Sequence, residues 1–210
     1  MKALFAPLTL ALLLTACSRE GQIARGGVYV KRTGCPQVAI PAATGDVTLF
    51  DPAGYTTAAA IDVTAAITNL RSTCTEETAY LASVASFDVV ATRRDASQAR
   101  QVVLPVFSVV TQAGTNVVAK RIGAVAVDFA AGSLRGQGRG QSTIRVSRSA
   151  ASLPADAQRE LTRERRPGDA DAAVDPLSDP KIRDAVATAT FEHLVGFQLT
   201  QEQLRYNATR

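Results

Sequence analysis

The sequence predicts a mainly β protein: a single antiparallel β-sandwich of about seven strands, with an immunoglobulin-like arrangement as one form it can take, and short helices near the C-terminus. Three observations predict it. Apolar residues recur at every second position through several stretches between residues 59 and 147. Gly, Pro and Asn separate those stretches at short intervals. The residues are 46% hydrophobic, yet include no Trp and one Met, so small Ala, Val and Thr side chains must do the packing.

The elements follow in order. Residues 28–30 suit a short strand. In 59–70, Ile61, Val63, Ala65 and Ile67 share one face, and Asp62, Thr64, Ala66 and Thr68 share the other, as in a half-buried strand. In 80–92, Ala85, Phe87, Val89 and Ala91 alternate with Val84, Ser86, Asp88 and Val90. Segment 101–111 is a Val-rich strand in which Pro105 demands an edge or a bulge. Residues 112–116, with Gly114, form a hairpin loop, and 117–130 return as a strand. Residues 132–140 read as a glycine-rich loop and 142–147 as a further strand. The alternation stops near Ala150. Residues 154–166 are helix-like with a leading proline, and 167–180 read as an exposed acidic loop, so 150–183 is treated as a charged insertion. Residues 187–199 read as a strand anchored by Phe191, Phe197 and Leu199. Thr200 and Gln203 have capping-box spacing for a short terminal helix that includes Leu204 and Tyr206, and Leu204 is expected to be buried with Phe197 and Leu199, closing one end of the sandwich.

The N-terminus carries a different kind of signal. Lys2 precedes an almost unbroken apolar stretch over residues 3–14, which suits a secretory signal and is too short to span a bilayer. Leu14-Thr15-Ala16-Cys17 then resembles the lipobox of bacterial lipoproteins. That resemblance implies cleavage before Cys17 and acylation of Cys17, which anchors the chain to a membrane outside the cytoplasm. Ser18 in the next position points, by the same resemblance, to the outer membrane facing the periplasm. The expected organisation is therefore a signal peptide at 1–16, a lipidated tether at 17–34 and the β domain at 35–210. Losing Lys2 leaves a net charge of about +3, too weak to argue for nucleic acid.

Cys35 and Cys74 remain after lipidation. An even pair in an oxidising compartment reads as a disulfide. Two free buried thiols are the rival reading, and a metal site would need more Cys or His nearby.

Residues 196–207, Gly-Phe-Gln-Leu-Thr-Gln-Glu-Gln-Leu-Arg-Tyr-Asn, resemble the C-terminal signature of a family of uncharacterised proteobacterial lipoproteins. Cys35-Pro36, Cys74 and the strand-hairpin-strand around 102–129 are similar to that family too. The resemblance implies no activity.

Chemistry-bearing motifs are sparse. Gly136-Gln137-Gly138-Arg139-Gly140 has the look of a phosphate-cradling loop, but strands flank it on both sides, so a flexible hairpin tip is the reading adopted. Arg135, Arg139, Arg145 and Arg148 make that region basic with no acid among them; they are candidates for binding an anionic lipid head group or glycan, with a solvated face as the plainer account. His193 is the one histidine, and its neighbour Glu192 should point to the opposite face of a strand. No catalytic residue, metal site or cofactor is expected. Two functions remain. One is a non-enzymatic envelope protein that binds or scaffolds an envelope protein, glycan or lipid partner. The other is a carrier or sensor of a lipid-like apolar ligand. A large cavity within the fold would favour the carrier, and a packed core with an exposed patch would favour the binding protein.

Overall fold

A computed structural model of the chain describes residues 22–24, 27–29, 33–166 and 168–209. The expected signal peptide, Cys17 and part of the tether lie outside them. Within the tether, β1 (Gln22–Ala24) and β2 (Gly27–Tyr29) pair antiparallel.

The remaining eight strands are β3 (Gln37–Ala39), β4 (Asp46–Phe50), β5 (Ile61–Glu76), β6 (Tyr80–Arg93), β7 (Arg100–Gln112), β8 (Asn116–Phe129), β9 (Arg135–Ser147) and β10 (Phe191–Phe197). Three helices follow the meander: α1 (Ala155–Thr162), α2 (Pro180–Thr188) and α3 (Gln201–Thr209). The protein is thus mainly β with short helices towards its C-terminus, as the alternation predicts. The expected pair of stacked sheets is replaced by one curled sheet, in the order β3-β10-β7-β8-β9-β6-β5-β4. It is mixed, because β3 runs parallel to β10.

One join in this sheet is unlike the rest. β7 pairs with β8, and β6 with β9, along nearly their whole lengths. Between β8 and β9, only Asp128↔Gln137 is paired. The sheet therefore comprises two four-stranded halves that meet at a corner and curl towards each other. One core unites them: Val63, Phe87, Val89 and Ala91 from one half meet Leu104, Val125, Val127, Phe129 and Phe197 from the other. Val63, Val89 and Val127 are fully buried. At one end a two-pronged Arg100–Asp62 ion pair (2.9 and 2.7 Å) links β7 of one half to β5 of the other, and Arg100 holds the Asp62 carboxyl below the usual carboxylate range.

The glycine-rich segment makes the corner possible. Residues 135–147 are strand rather than loop, and the turn is confined to 130–134, where Gly132 has φ +78°. A Cβ added to Gly138 would lie 2.4 Å from the Ala126 carbonyl oxygen, and one on Gly140 would lie 2.3 Å from the Phe87 ring. The glycines are a flat stretch of strand onto which β8 and Phe87 close directly. Sequence reading took them for a turn because glycine marks both tight turns and close backbone approach.

Pro105 sits in β7, a strand with neighbours on both sides. Its own position is nonetheless an edge. β10 ends opposite Val106, and the Pro105 carbonyl then accepts the Gln198 N–H (2.8 Å). N–H and C=O of one strand residue point to the same side, so the missing donor faces the flank that β10 has just left.

Two C-terminal expectations need correction. Residues 187–199 are not all strand: α2 runs to Thr188. Asp179 caps it by accepting from the Lys181 N–H (2.8 Å), and Pro180 occupies its first turn. Asp179-Pro180 was a legible helix start that the apolar run beyond it obscured. Leu204, expected as a buried anchor, is 43% exposed. α3 is held instead by Asn207, which donates to the Ala43 and Asp46 carbonyls (3.0 and 2.7 Å), and by an edge-to-face Tyr206–Phe50 contact. The expected capping box does form: Thr200 Oγ1 accepts from the Gln203 N–H (3.2 Å), and Gln203 Oε1 accepts from the Thr200 N–H (2.9 Å).

The disulfide links Cys35 to Cys74, as expected, and closes a sequence separation of 39 residues. In the charged insertion, Arg163 and Arg165 gather Glu160 and Asp171 into one ion-pair cluster.

Candidate binding edge

The four sequence-predicted arginines do not converge into an empty anion site. Arg135, Arg139 and Arg145 occupy odd positions of β9 and so share one face, with Arg148 just beyond it. Carboxylates from the neighbouring strand and turn answer three of them: Asp88 lies 3.6 Å from Arg139, Glu77 lies 3.6 Å from Arg145 and Glu76 lies 3.1 Å from Arg148. Exposed pairs of this kind are worth about 0–1 kcal/mol each. The balancing acids were invisible in the local sequence because they come from 50 or more residues upstream.

Arg135 instead lines an open groove of about 620 Å³ across β4, β5, β6 and β9, where Thr48, Thr64, Thr92 and Gln137 alternate with apolar Val47, Ala65, Val90 and Ala91. The Thr64 and Thr92 hydroxyls lie 2.7 Å apart there.

His193 is completely buried among three serines. Its Nδ1 lies 3.3 Å from Ser83 Oγ, and its Nε2 lies 3.1 Å from Ser108 Oγ and 3.3 Å from Ser142 Oγ. The ring therefore bridges β6, β7 and β9 from β10. Burial pushes its pKa down to about 4, so it is neutral at pH 7. Glu192 points the other way and accepts from the Thr111 hydroxyl (2.8 Å), so it does not orient the imidazole as a general base would need. The arrangement satisfies a buried polar group.

A buried cation, Arg93, continues the inward period of β6 after Val89 and Ala91. It donates to the carbonyls of Ser133, Gln98 and Ala130 (2.9, 2.6 and 2.8 Å) and lies over the Phe129 ring. It ties the turn after β6 to the turn before β9. It lies one residue past the strand expected from the sequence, and no local signal named it or its partners.

The least satisfied feature among the described residues is the β8 edge. From residue 116 to residue 124 β8 is paired on one side only; beyond that Val125 and the Ala126 carbonyl abut Gly140 and Gly138 of β9, and the one ladder pair is Asp128↔Gln137. Residues 116–124 are exposed without a break. On the outer face, Ile122 and Ala124 lie opposite Phe107 and Pro105, and Ala126 lies opposite Val103. Ile122 and Val103 are 64% and 59% exposed. The result is an apolar strip beside an open edge. On the opposite face, Arg121 sits across from Ser108. Neither Lys120 nor Arg121 has a carboxylate partner among the described residues; Lys120 lies over the Phe107 ring at 5.7 Å.

Among the described residues there is no group of three or more His, Cys, Asp or Glu that could hold a metal, and no helix is long and apolar enough to cross a membrane. No protein-family model, no curated protein and no solved structure matches the chain.

Proposed function

We propose that this chain is a non-enzymatic outer-membrane lipoprotein, anchored through Cys17, that binds or scaffolds a second component of the cell envelope through the β8 edge. The observation that carries this reading is a strand edge of about nine residues, 116–124, left open beside an exposed apolar strip. Natural sheets blunt or cover such edges, so one left open beside apolar surface is a docking surface by default. The carrier reading has less support. The core between the two halves is filled by fully buried Val63, Val89 and Val127, and the large groove, although Val47, Ala65, Val90 and Ala91 give it an apolar floor, is open to solvent rather than enclosed.

The reading is tested in the native envelope with the full chain. A photo-crosslinking residue at Ile122 should trap a second envelope component, whereas the same group at Val90, on the other half of the sheet, should not. Adducts at Val90 alone, or none at either site, overturn it. Cys17→Ser should leave a precursor that takes up no labelled fatty acid; acylation of that variant overturns the anchor.

A further inference from the structure

We infer that the partner segment is an acidic, extended strand that adds to β8 in the opening between β8 and β9. The inference rests on the reading above and deepens it. The free stretch of residues 116–124, before β8 closes on Gly138 and Gly140 of β9, is about 30 Å long at strand rise, room for about nine residues of an added strand. Its backbone donors and acceptors on that side have no ladder partner in the sheet, so main-chain hydrogen bonds supply affinity to any extended segment.

The two faces beside the edge select the segment. On the outer face Ile122 and Ala124 offer an apolar strip with Lys120 at one end. On the other face, Arg121 stands exposed between the small residues Ala119 and Gly123. An incoming strand therefore sets apolar side chains outward, over the strip, and a carboxylate inward, beside Arg121. Acid and apolar residues must alternate, because successive strand side chains point to opposite faces.

The same charges disfavour a second copy of this chain. A two-fold antiparallel pairing centred on the free edge places Arg121 or Lys120 directly opposite or diagonal to its own copy, and like charges across a strand pair repel. β9 pairs with β6 on one side, and on the side facing β8 it has no ladder partner beyond Gln137, so past Gly140 the added strand enters an opening bordered by a second open edge.

The test uses the full chain and three labelled ten-residue peptides, read by fluorescence anisotropy. One alternates Val and Glu, one alternates Val and Lys, and one is the Val–Glu peptide with two central residues replaced by Pro. The Val–Glu peptide is expected to bind, more tightly at low salt. The Val–Lys and Pro peptides are expected to bind at least about tenfold more weakly. Arg121→Glu should reverse the preference between acidic and basic peptides, and Arg121→Gln should abolish it; the exposure of this residue leaves the fold intact. Equal binding of all three peptides, or a preference that survives Arg121→Glu, overturns the proposal. So does an edge that binds no peptide, which would make Lys120 and Arg121 guards against association. Dimerisation without peptide binding, or uptake only by phosphatidylglycerol vesicles, also overturns it. If the Ile122 crosslink still traps a component while the acidic peptide fails, the binding function stands and the acidic strand falls. If neither succeeds, both fall.

Discussion

Gly138→Ala should destabilise the protein although glycine is a poor strand residue. Gly138 is not among the residues with positive φ, so alanine meets no backbone strain there. In the unfolded chain the substitution removes freedom, which by itself would stabilise by about 0.4–1 kcal/mol. The new methyl, however, would lie 2.4 Å from the Ala126 carbonyl oxygen and 2.8 Å from Val125 Cγ1, against an optimum of roughly 3.5–4.0 Å for non-bonded carbon atoms. The carbonyl belongs to β8 backbone at the corner and cannot rotate away. Overpacking of this kind costs about 1–3 kcal/mol, so a net loss of about 1–2 kcal/mol is expected. For a domain of this size that lowers Tm by about 2–8 °C. Gly123→Ala is the matched control: it also lies in a strand, and its added Cβ would meet only Val106 Cγ2 at 3.8 Å. It should be neutral or raise Tm slightly. Thermal melts of the two variants decide. A Gly138→Ala protein as stable as the parent would refute the idea that the glycines exist to let β8 close on β9.

Three other outcomes follow from the geometry. Replacing Cys35 and Cys74 together by Ala should cost up to about 4 kcal/mol, the loop-closure entropy for 39 residues, read as a lower urea midpoint. His193 should make stability acid-sensitive. Its folded pKa of about 4 lies below the ordinary 6.5, so the unfolded chain binds the proton first; the contribution is complete above pH 6.5 and is lost as pH falls towards 4, by about 3 kcal/mol in all. Urea titrations at several pH values should show that slope, and His193→Gln should flatten it. Asn207→Ala should cost about 1–3 kcal/mol by stripping two carbonyls of their donor, whereas Leu204→Ala should change the melt little because that side chain is 43% exposed.

What could be read from the sequence follows from the range of each interaction. The inward faces of β5 and β6 were legible because period two is a local property. The capping box at Thr200 and Gln203, the hairpin at Gly114 and the Cys35–Cys74 link were legible for the same reason, since each is a short pattern or a forced pairing. The curled single sheet was not, because strand order depends on which distant edges meet. Nor was the candidate site. Arg139, Arg145 and Arg148 formed a basic cluster until Asp88, Glu77 and Glu76 were folded beside them. The β8 edge emerged only because its neighbour on that side joins it at a single residue pair. In the sequence β8 is one more alternating strand.

The open edge is tested most directly by hydrogen–deuterium exchange along β8 in the full chain. In residues 116–124, amides directed at β7 should be protected, and alternate amides directed at the opening should exchange close to the rate of unstructured peptide. In β6, which is paired on both sides by β5 and β9, successive amides should all be protected. Adding the Val–Glu peptide should slow exchange at the open-side amides of β8 and leave β6 unchanged. Uniform protection along β8 in the free protein would contradict the account, because the edge on which the proposed function depends would already be occupied.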